Sequence, residues 1–334
     1  MPRKCWFWLI VGIFALVLIP APQAAEKVTF VSSWVLSGPD VPYFAARDKG
    51  TFRKEGIDLK IVRGYGSGNT IKTVSARKAG FGFADMASLV GARARGAKAK
   101  SVSVVFGKAP HGVYFLEGSG IRKPKDLEGR SIGAIQGAAS YRTFEAFANL
   151  AGLDRSKIKF QFMTAPSLLP SVMTGKVDAA LFYITQHPGI TIKARKINKA
   201  VATLLYRDSG FNIYSNSIIA HEDDIKSNPD RIRRLVRASI QGHADGADHP
   251  EEAVKSFIQH NPDVSKEVIS GQWKVVVGLF STPEAKKNGI GYMLREKVKF
   301  TRDLMTKLLK LKVKVKLDDL YTNRFNPKIS PKSW

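Results

Sequence analysis

Between Ile57 and Asp85 the chain reads "IDLKIVRGYGSGNTIKTVSARKAGFGFAD". Apolar and polar residues alternate through "IDLKIV", as on a half-buried strand, and "NTIKTVSARKAG" then changes to the period of a helix. Asn69 or Thr70 is the expected cap of that helix. "FGFAD" closes the stretch as a second, short strand. This strand–loop–helix–strand order repeats on both sides of it. "KVTFVSSW" and "KSVSVVFG" read as strands, and "PYFAARDKGTFRKEG" and "SLVGARARG" as helices, the former stopped by Gly56. Such an alternation predicts an α/β fold with a mostly parallel sheet covered by helices.

A second series follows. "HGVYFLE", "SIGAI", "IKFQFM", "DAALFYIT" and "AVATLLY" are strand-like, and "SYRTFEAFANLAG" and "PSLLPSVMTGK" are helical. After a further strand in "IYSNSIIA" the pattern is helical to near the end, with Asn228 as cap and Pro229 in the first helical position of "NPDRIRRLVRASIQGHADG". Two open α/β units joined by extended segments predict a cleft between them. Ligands of such sheets bind beyond the carboxyl ends of the strands. The expected lining is therefore "WVLSGPD", "RGYGSGN", "ADMAS", "IQGAASY" and "YITQH".

These loops carry the candidate contacts. "GYGSGNT" lacks the spacing of a dinucleotide fingerprint and the lysine of a P-loop. Gly66, Ser67 and Gly68 still offer backbone N–H groups and a hydroxyl before a helix, a site for an anion or a carbonyl. Gln136, Gly137, Ala138 and Ser140 repeat that arrangement in the second unit. Trp34 ends the first strand, Tyr43 starts the first helix and Tyr183 closes the strand "DAALFYIT"; these are the aromatic candidates, each worth about 0.5–1.5 kcal/mol for a stacked ring beyond area burial. His187 follows "YITQ" at a strand end. No G-x-S-x-G elbow and no triad is recognisable, so an enzyme has no evident nucleophile here. "HADGADH" makes a poor metal site, because its ligands would have to converge across a helix end.

The N-terminus and the charge bound the setting. Arg3 and Lys4 precede an apolar run from Trp6 to Ile19, then Pro20 and the small residues of "APQAAEK". This is the layout of a secretory signal peptide over residues 1–25, cleaved near Ala24 or Ala25, and the apolar run is short for a membrane span. The sole cysteine, Cys5, lies ahead of that run and leaves with it, so the mature chain has neither disulfides nor thiolate-bound metal. The formal net charge is +25. The basic residues are scattered, and the densest runs, "RIRRLVR" and "LKLKVKVK", read as solvated faces rather than a nucleic-acid site.

"PYFAARDKGTFRKEGIDLKIVRGYGSGNTIKTVSARKAGFGFAD" resembles the opening of the nitrate/sulfonate/taurine and thiamine-pyrimidine-precursor class of ABC-transporter solute-binding proteins. "SGIRKPKDLEGRSIGA", "MTGKVDAALFY" and "NPDRIRRLVRASIQG" extend the resemblance over nearly the whole mature chain, with Gly80 where that class usually has an aspartate. The resemblance implies a type II periplasmic-binding-protein fold of two lobes, each a mixed, mainly parallel sheet covered by helices. Lobe one would be residues 26–115 plus 218–334, and lobe two 116–217. By match to the class, Trp34, Tyr43, Gly66, Ser67, Asp85, Gln136, Ala138, Ser140 and Tyr183 become ligand contacts. It further implies a periplasmic, monomeric receptor without cofactor, which captures a small molecule by hinge closure and hands it to an inner-membrane ABC permease. A planar ring, pyrimidine-type or an aromatic acid, is the expected cargo. An alkanesulfonate, taurine or nitrate-type anion is the alternative, and a pyrimidine-metabolising enzyme on the same fold is the alternative of another class. The cysteine-rich motif of the eukaryotic pyrimidine-making relatives is absent.

Overall fold

The computed structural model describes residues 25–313 and 315–334. The leader expected over residues 1–25 therefore lies, but for Ala25, outside the described residues. Ten strands alternate with helices: β1 (Glu26–Val31), β2 (Ile57–Val62), β3 (Phe81–Asp85), β4 (Ala99–Val104), β5 (His111–Leu116), β6 (Ser131–Ala134), β7 (Lys159–Phe162), β8 (Ala179–Tyr183), β9 (Val201–Leu205) and β10 (Asn216–His221). They form two five-stranded sheets, ordered β2-β1-β3-β10-β4 and β7-β6-β8-β5-β9. In the first, β1 runs parallel to β2 and β3, and β10 is antiparallel to β3 and β4. In the second, β6 runs parallel to β7 and β8, and β5 is antiparallel to β8 and β9. Each lobe thus holds one antiparallel strand, and that strand is the one that has just crossed from the other lobe.

The strand series matches the alternation read from the sequence. The lobe boundaries need correcting. The chain changes sheet between Val104 and His111, ahead of the expected 115/116 boundary, and returns between Leu205 and Asn216, ahead of 217/218. The pairing partner of "HGVYFLE" decides its lobe, and partners are set by tertiary contact rather than by alternation. The glycine loop also ends earlier than expected. Gly66, at φ +104° and ψ 150°, makes the turn, and the helix already runs from Ser67 to Ser75. Pro229 does open the long helix Pro229–Asp248, and Asn228 stands in the cap position, but its side chain makes no capping hydrogen bond.

Helix Pro229–Asp248 packs its apolar stripe, including Ile232, Leu235, Val236 and Ile240, into the first lobe, where all four are at most 1% exposed. Its arginines face outward, as an amphipathic surface helix requires. Helix Lys266–Phe280 buries Trp273 beside it, and the indole N–H donates to the Gly246 carbonyl at 2.8 Å. A second apolar cluster is continuous from one lobe to the other: Ala84 and Met86 join Phe144, Phe147 and Tyr206. The C-terminal segment covers the β4 edge through bridges Ser101–Tyr321 and Val104–Gly291, which removes an open sheet edge.

Candidate functional site

The two glycine loops meet. A Cβ on Gly66 would lie 3.5 Å from the Gly137 carbonyl oxygen and 3.8 Å from the Trp34 ring. Gly137, at φ +86°, turns its carbonyl to accept from Arg142 Nε at 3.1 Å. The same guanidinium lies 3.2 Å from where a Cβ on Gly68 would stand. Backbone from one lobe and backbone from the other therefore come within van der Waals reach, which glycine permits at this place.

Behind these loops lies a buried polar chain. Ser67, 4% exposed, accepts at Oγ from the Asp85 backbone N–H at 3.1 Å. Asp85 ends β3, is fully buried, and caps helix Met86–Arg93 by accepting from the Ser88 N–H at 2.8 Å. Its other oxygen accepts from Ser215 Oγ at 2.8 Å. Asn216 continues the chain, donating from Nδ2 to Ser33 Oγ at 3.1 Å. Ser215 has one proton and two acceptors in range, Asp85 and the longer Asn216 Oδ1 at 3.2 Å. The charged acceptor holds it more strongly.

His111 stands on this chain's far side, and the sequence reading missed it. It opens β5 just after the first crossover and is fully buried. Its ring lies edge-on to Tyr183 at 4.7 Å, near-parallel to Tyr206 at 5.6 Å and edge-on to Phe211 at 5.6 Å. Nε2 is 3.8 Å from the Asp85 carboxylate, too far for a hydrogen bond, and neither ring nitrogen has a hydrogen-bond partner among the described residues. Burial lowers its pKa to about 4 against the opposing pull of Asp85, so it is neutral at pH 7. Burial and then Asp85 raise the Tyr183 phenol, with the Ser215 hydroxyl beside it working the other way. A buried imidazole with one donor and one acceptor unmatched is an uncommon state for a purely structural residue.

The expected contacts divide accordingly. Trp34, Gly66, Ser67, Gly68, Asp85, Gly137 and Tyr183 come together at the lobe interface with His111, Ser215 and Arg142. Ala138 sits at the start of the short helix Ala139–Arg142, and the buried Ser140 in that helix presents its carbonyl to the Tyr206 hydroxyl at 3.0 Å. Gln136 is exposed. Tyr43 is a correction: it is fully buried in the first lobe's core, stacked on Phe30 at 4.1 Å and edge-on to His243 at 5.4 Å. The first helix turns its apolar face inward, and Tyr43 goes with it. His187 likewise packs on lobe-two neighbours, Thr191 Oγ1 at 3.4 Å and the Tyr114 ring at 5.9 Å. Crossover position was the one available signal for His111 and Ser215, since hinge segments of two-lobed folds pass behind the cleft.

A family model described as NMT1/THI5 like matches residues 40–253. The riboflavin-binding protein RibY of Chloroflexus aurantiacus is 27% identical, covering 92% of this chain and 89% of its own. A 4-amino-5-hydroxymethyl-2-methylpyrimidine phosphate synthase of Schizosaccharomyces pombe is 22% identical, covering 78% and 77%. Among solved structures, the alkanesulfonate-binding protein SsuA of Xanthomonas axonopodis pv. citri superposes with a TM-score of 0.69 at 13% identity, over 90% of this chain and 99% of that one. The two mixed sheets are those of a type II periplasmic binding protein, and fold and family fit an ABC solute-binding protein. The chain belongs to the NMT1/THI5-like family.

Proposed function

We propose that the chain is an exported receptor that captures a small planar molecule, pyrimidine-type or an aromatic acid, between its lobes and delivers it unchanged to an ABC permease. The observation that carries this reading is the meeting of Gly66 and Gly137 across the lobes in front of the unpartnered His111. A planar heterocycle there has ring faces to stack on Trp34 and Tyr183 and an edge to pair with His111. Opening moves the second lobe about the paired crossovers between β4 and β5 and between β9 and β10, and closure encloses the ligand. Two charged-group hydrogen bonds at about 1.5–3 kcal/mol each, with stacking, reach a micromolar constant, about −8 kcal/mol, once ring burial is added. The naming of one relative for riboflavin and of another for a pyrimidine phosphate supports a ring. The chain acts as a monomer and needs no cofactor in this reading.

An alkanesulfonate, taurine or nitrate-type anion is the alternative cargo, supported by the basic charge. A pyrimidine-metabolising enzyme is the alternative of another class, supported by the relatives named as synthases and by the facing of His111 and Asp85. One experiment separates them. The purified protein is denatured and its released small molecules are identified by mass spectrometry, then the compound is incubated with fresh protein. A planar compound recovered intact supports the receptor. Turnover supports the enzyme, and thermal stabilisation by sulfonates alone removes the planar ring.

A further inference from the structure

Beside the glycine loops a cavity of ≈ 380 Å³ opens between the lobes. Helix Met86–Arg93 and the turn after it supply Ser88 and Arg95 from the first lobe. Tyr141, Arg142, Glu145 and Arg155 come from the second, and Leu309 helps floor it. Three guanidinium groups thus face one carboxylate, and that carboxylate is already engaged: Glu145 pairs with Arg155 at 3.4 Å. Arg155 also lies over the Phe160 ring and donates to the Tyr141 hydroxyl. Among the described residues Arg95 has no ion pair, and Arg142 donates only to the Gly137 carbonyl. Burial first, and Arg95 second, disfavour the charge on Arg142, and Asp85 offsets this only in part. Arg95 and Arg142, both solvent-exposed, thus come from opposite lobes to line one cavity, and neither has an ion pair among the described residues. Independently, Ser88 is 7% exposed, lines the same cavity, and its hydroxyl has no hydrogen-bond partner among the described residues.

We propose that this cavity is a subsite for a phosphate monoester on the cleft ligand, held by Arg95, Arg142 and Ser88, so that the ligand is a planar ring carrying a phosphate. This rests on the receptor reading above. A doubly charged oxyanion with three acceptor oxygens matches two forked guanidinium donors and a hydroxyl, whereas a carboxylate is satisfied by one fork. Because Arg95 and Arg142 belong to different lobes, a phosphate held by both bridges the lobes and ties the closed form together. Its affinity for the closed state exceeds that for the open state, and that difference is what drives closure.

The test is calorimetric titration of paired probes, riboflavin against riboflavin 5′-phosphate and 4-amino-5-hydroxymethyl-2-methylpyrimidine against its phosphate, with inorganic phosphate alone as a further probe. Wild type is compared with Arg95→Gln, an exposed position off the glycine loops, and with Ser88→Ala. The expected result is that the phosphate adds about tenfold or more to the affinity of a ring, and that Arg95→Gln removes most of that gain. Equal affinities within both pairs, or a gain that survives Arg95→Gln, overturns the subsite and leaves the receptor reading standing. Arg95-dependent binding of inorganic phosphate with neither ring bound upholds the subsite and removes the ring. No Arg95-dependent binding of any probe overturns the subsite.

Discussion

Gly64→Ala tests whether the geometry of the first glycine loop is as tight as the coordinates place it. Gly64 has an ordinary backbone conformation, so the substitution carries no intrinsic strain. The obstacle is space: an added Cβ would stand 2.0 Å from the Ser32 carbonyl oxygen and 2.9 Å from the carbonyl carbons of Ser32 and Ser33. All three atoms are backbone, so no side-chain rotation relieves the overlap, and the ends of β1 and β2 must part by about 1 Å. That movement strains the Gly64 N–H bond to the Trp34 carbonyl at 2.9 Å and the Thr70 hydroxyl bond to the Ser32 carbonyl at 2.8 Å. Overpacking at about 1–3 kcal/mol, with about 1 kcal/mol for a lost hydrogen bond, gives a loss of about 2–4 kcal/mol. Gly50→Ala is the control. Gly50 has φ +75° and nothing within 4 Å of an added Cβ, so it pays only the left-handed backbone cost of about 1–2 kcal/mol. Urea unfolding followed by tryptophan fluorescence reads both. A Gly64→Ala protein no less stable than the Gly50→Ala protein refutes the reasoning, because the close approach would then be one the loops can relax at no cost.

Asp85→Ala removes a helix cap worth about 1 kcal/mol and a charged acceptor for Ser215 worth about 1.5–3, so urea unfolding should show a loss of about 2–4 kcal/mol. Asp85→Asn, which keeps one acceptor for the Ser88 N–H, should lose clearly less; equal losses would mean that the cap contributes nothing and the loss comes from the charge alone. Burial raises Asp40 to about 7, against hydrogen bonds from Ser32 and Ser37 that lower it. A raised carboxyl contributes stability that is full below its unfolded pKa near 4 and is lost as pH rises through 7, about 4 kcal/mol for three units. Asp40→Asn should therefore gain on wild type by up to about 4 kcal/mol between pH 4 and 7, and parallel stability–pH curves would contradict it. His111 and His243, both lowered to about 4 chiefly by burial, lose stability in the opposite sense as pH falls from 6.5 to 4, and they cancel in that comparison. Trp273→Phe leaves the Gly246 carbonyl without its indole donor and opens space in the first lobe. A loss of about 2–4 kcal/mol is expected by chemical denaturation, and a change under 1 kcal/mol would show that the site closes over the gap.

The limits of the sequence reading fall at particular residues. Ser67 and Gly68 were legible as part of a loop after a strand but not as the first turn of a helix, because Gly66 makes the turn through a positive φ that composition does not announce. Tyr43, at the start of the first helix, and Tyr183, at the close of a strand, were equal aromatic candidates in the sequence. Only packing separated them, sending Tyr43 against Phe30 and leaving Tyr183 against His111. Arg95 and Arg142 are remote in sequence and fall in two separate segments read only as helical, so their facing could not be anticipated.

The alternation of strand and helix periods, read locally, determined the α/β class, the strand series and the glycine loops at the strand ends. Those features follow from which residues can share a face within one element. The lobe to which β5 and β10 belong, the burial of His111 without a partner, and the confrontation of two arginines across the cleft were decided by the tertiary structure. Each depends on which distant segments come into contact, and the energies that choose among such contacts are pairwise between elements rather than written within any one of them.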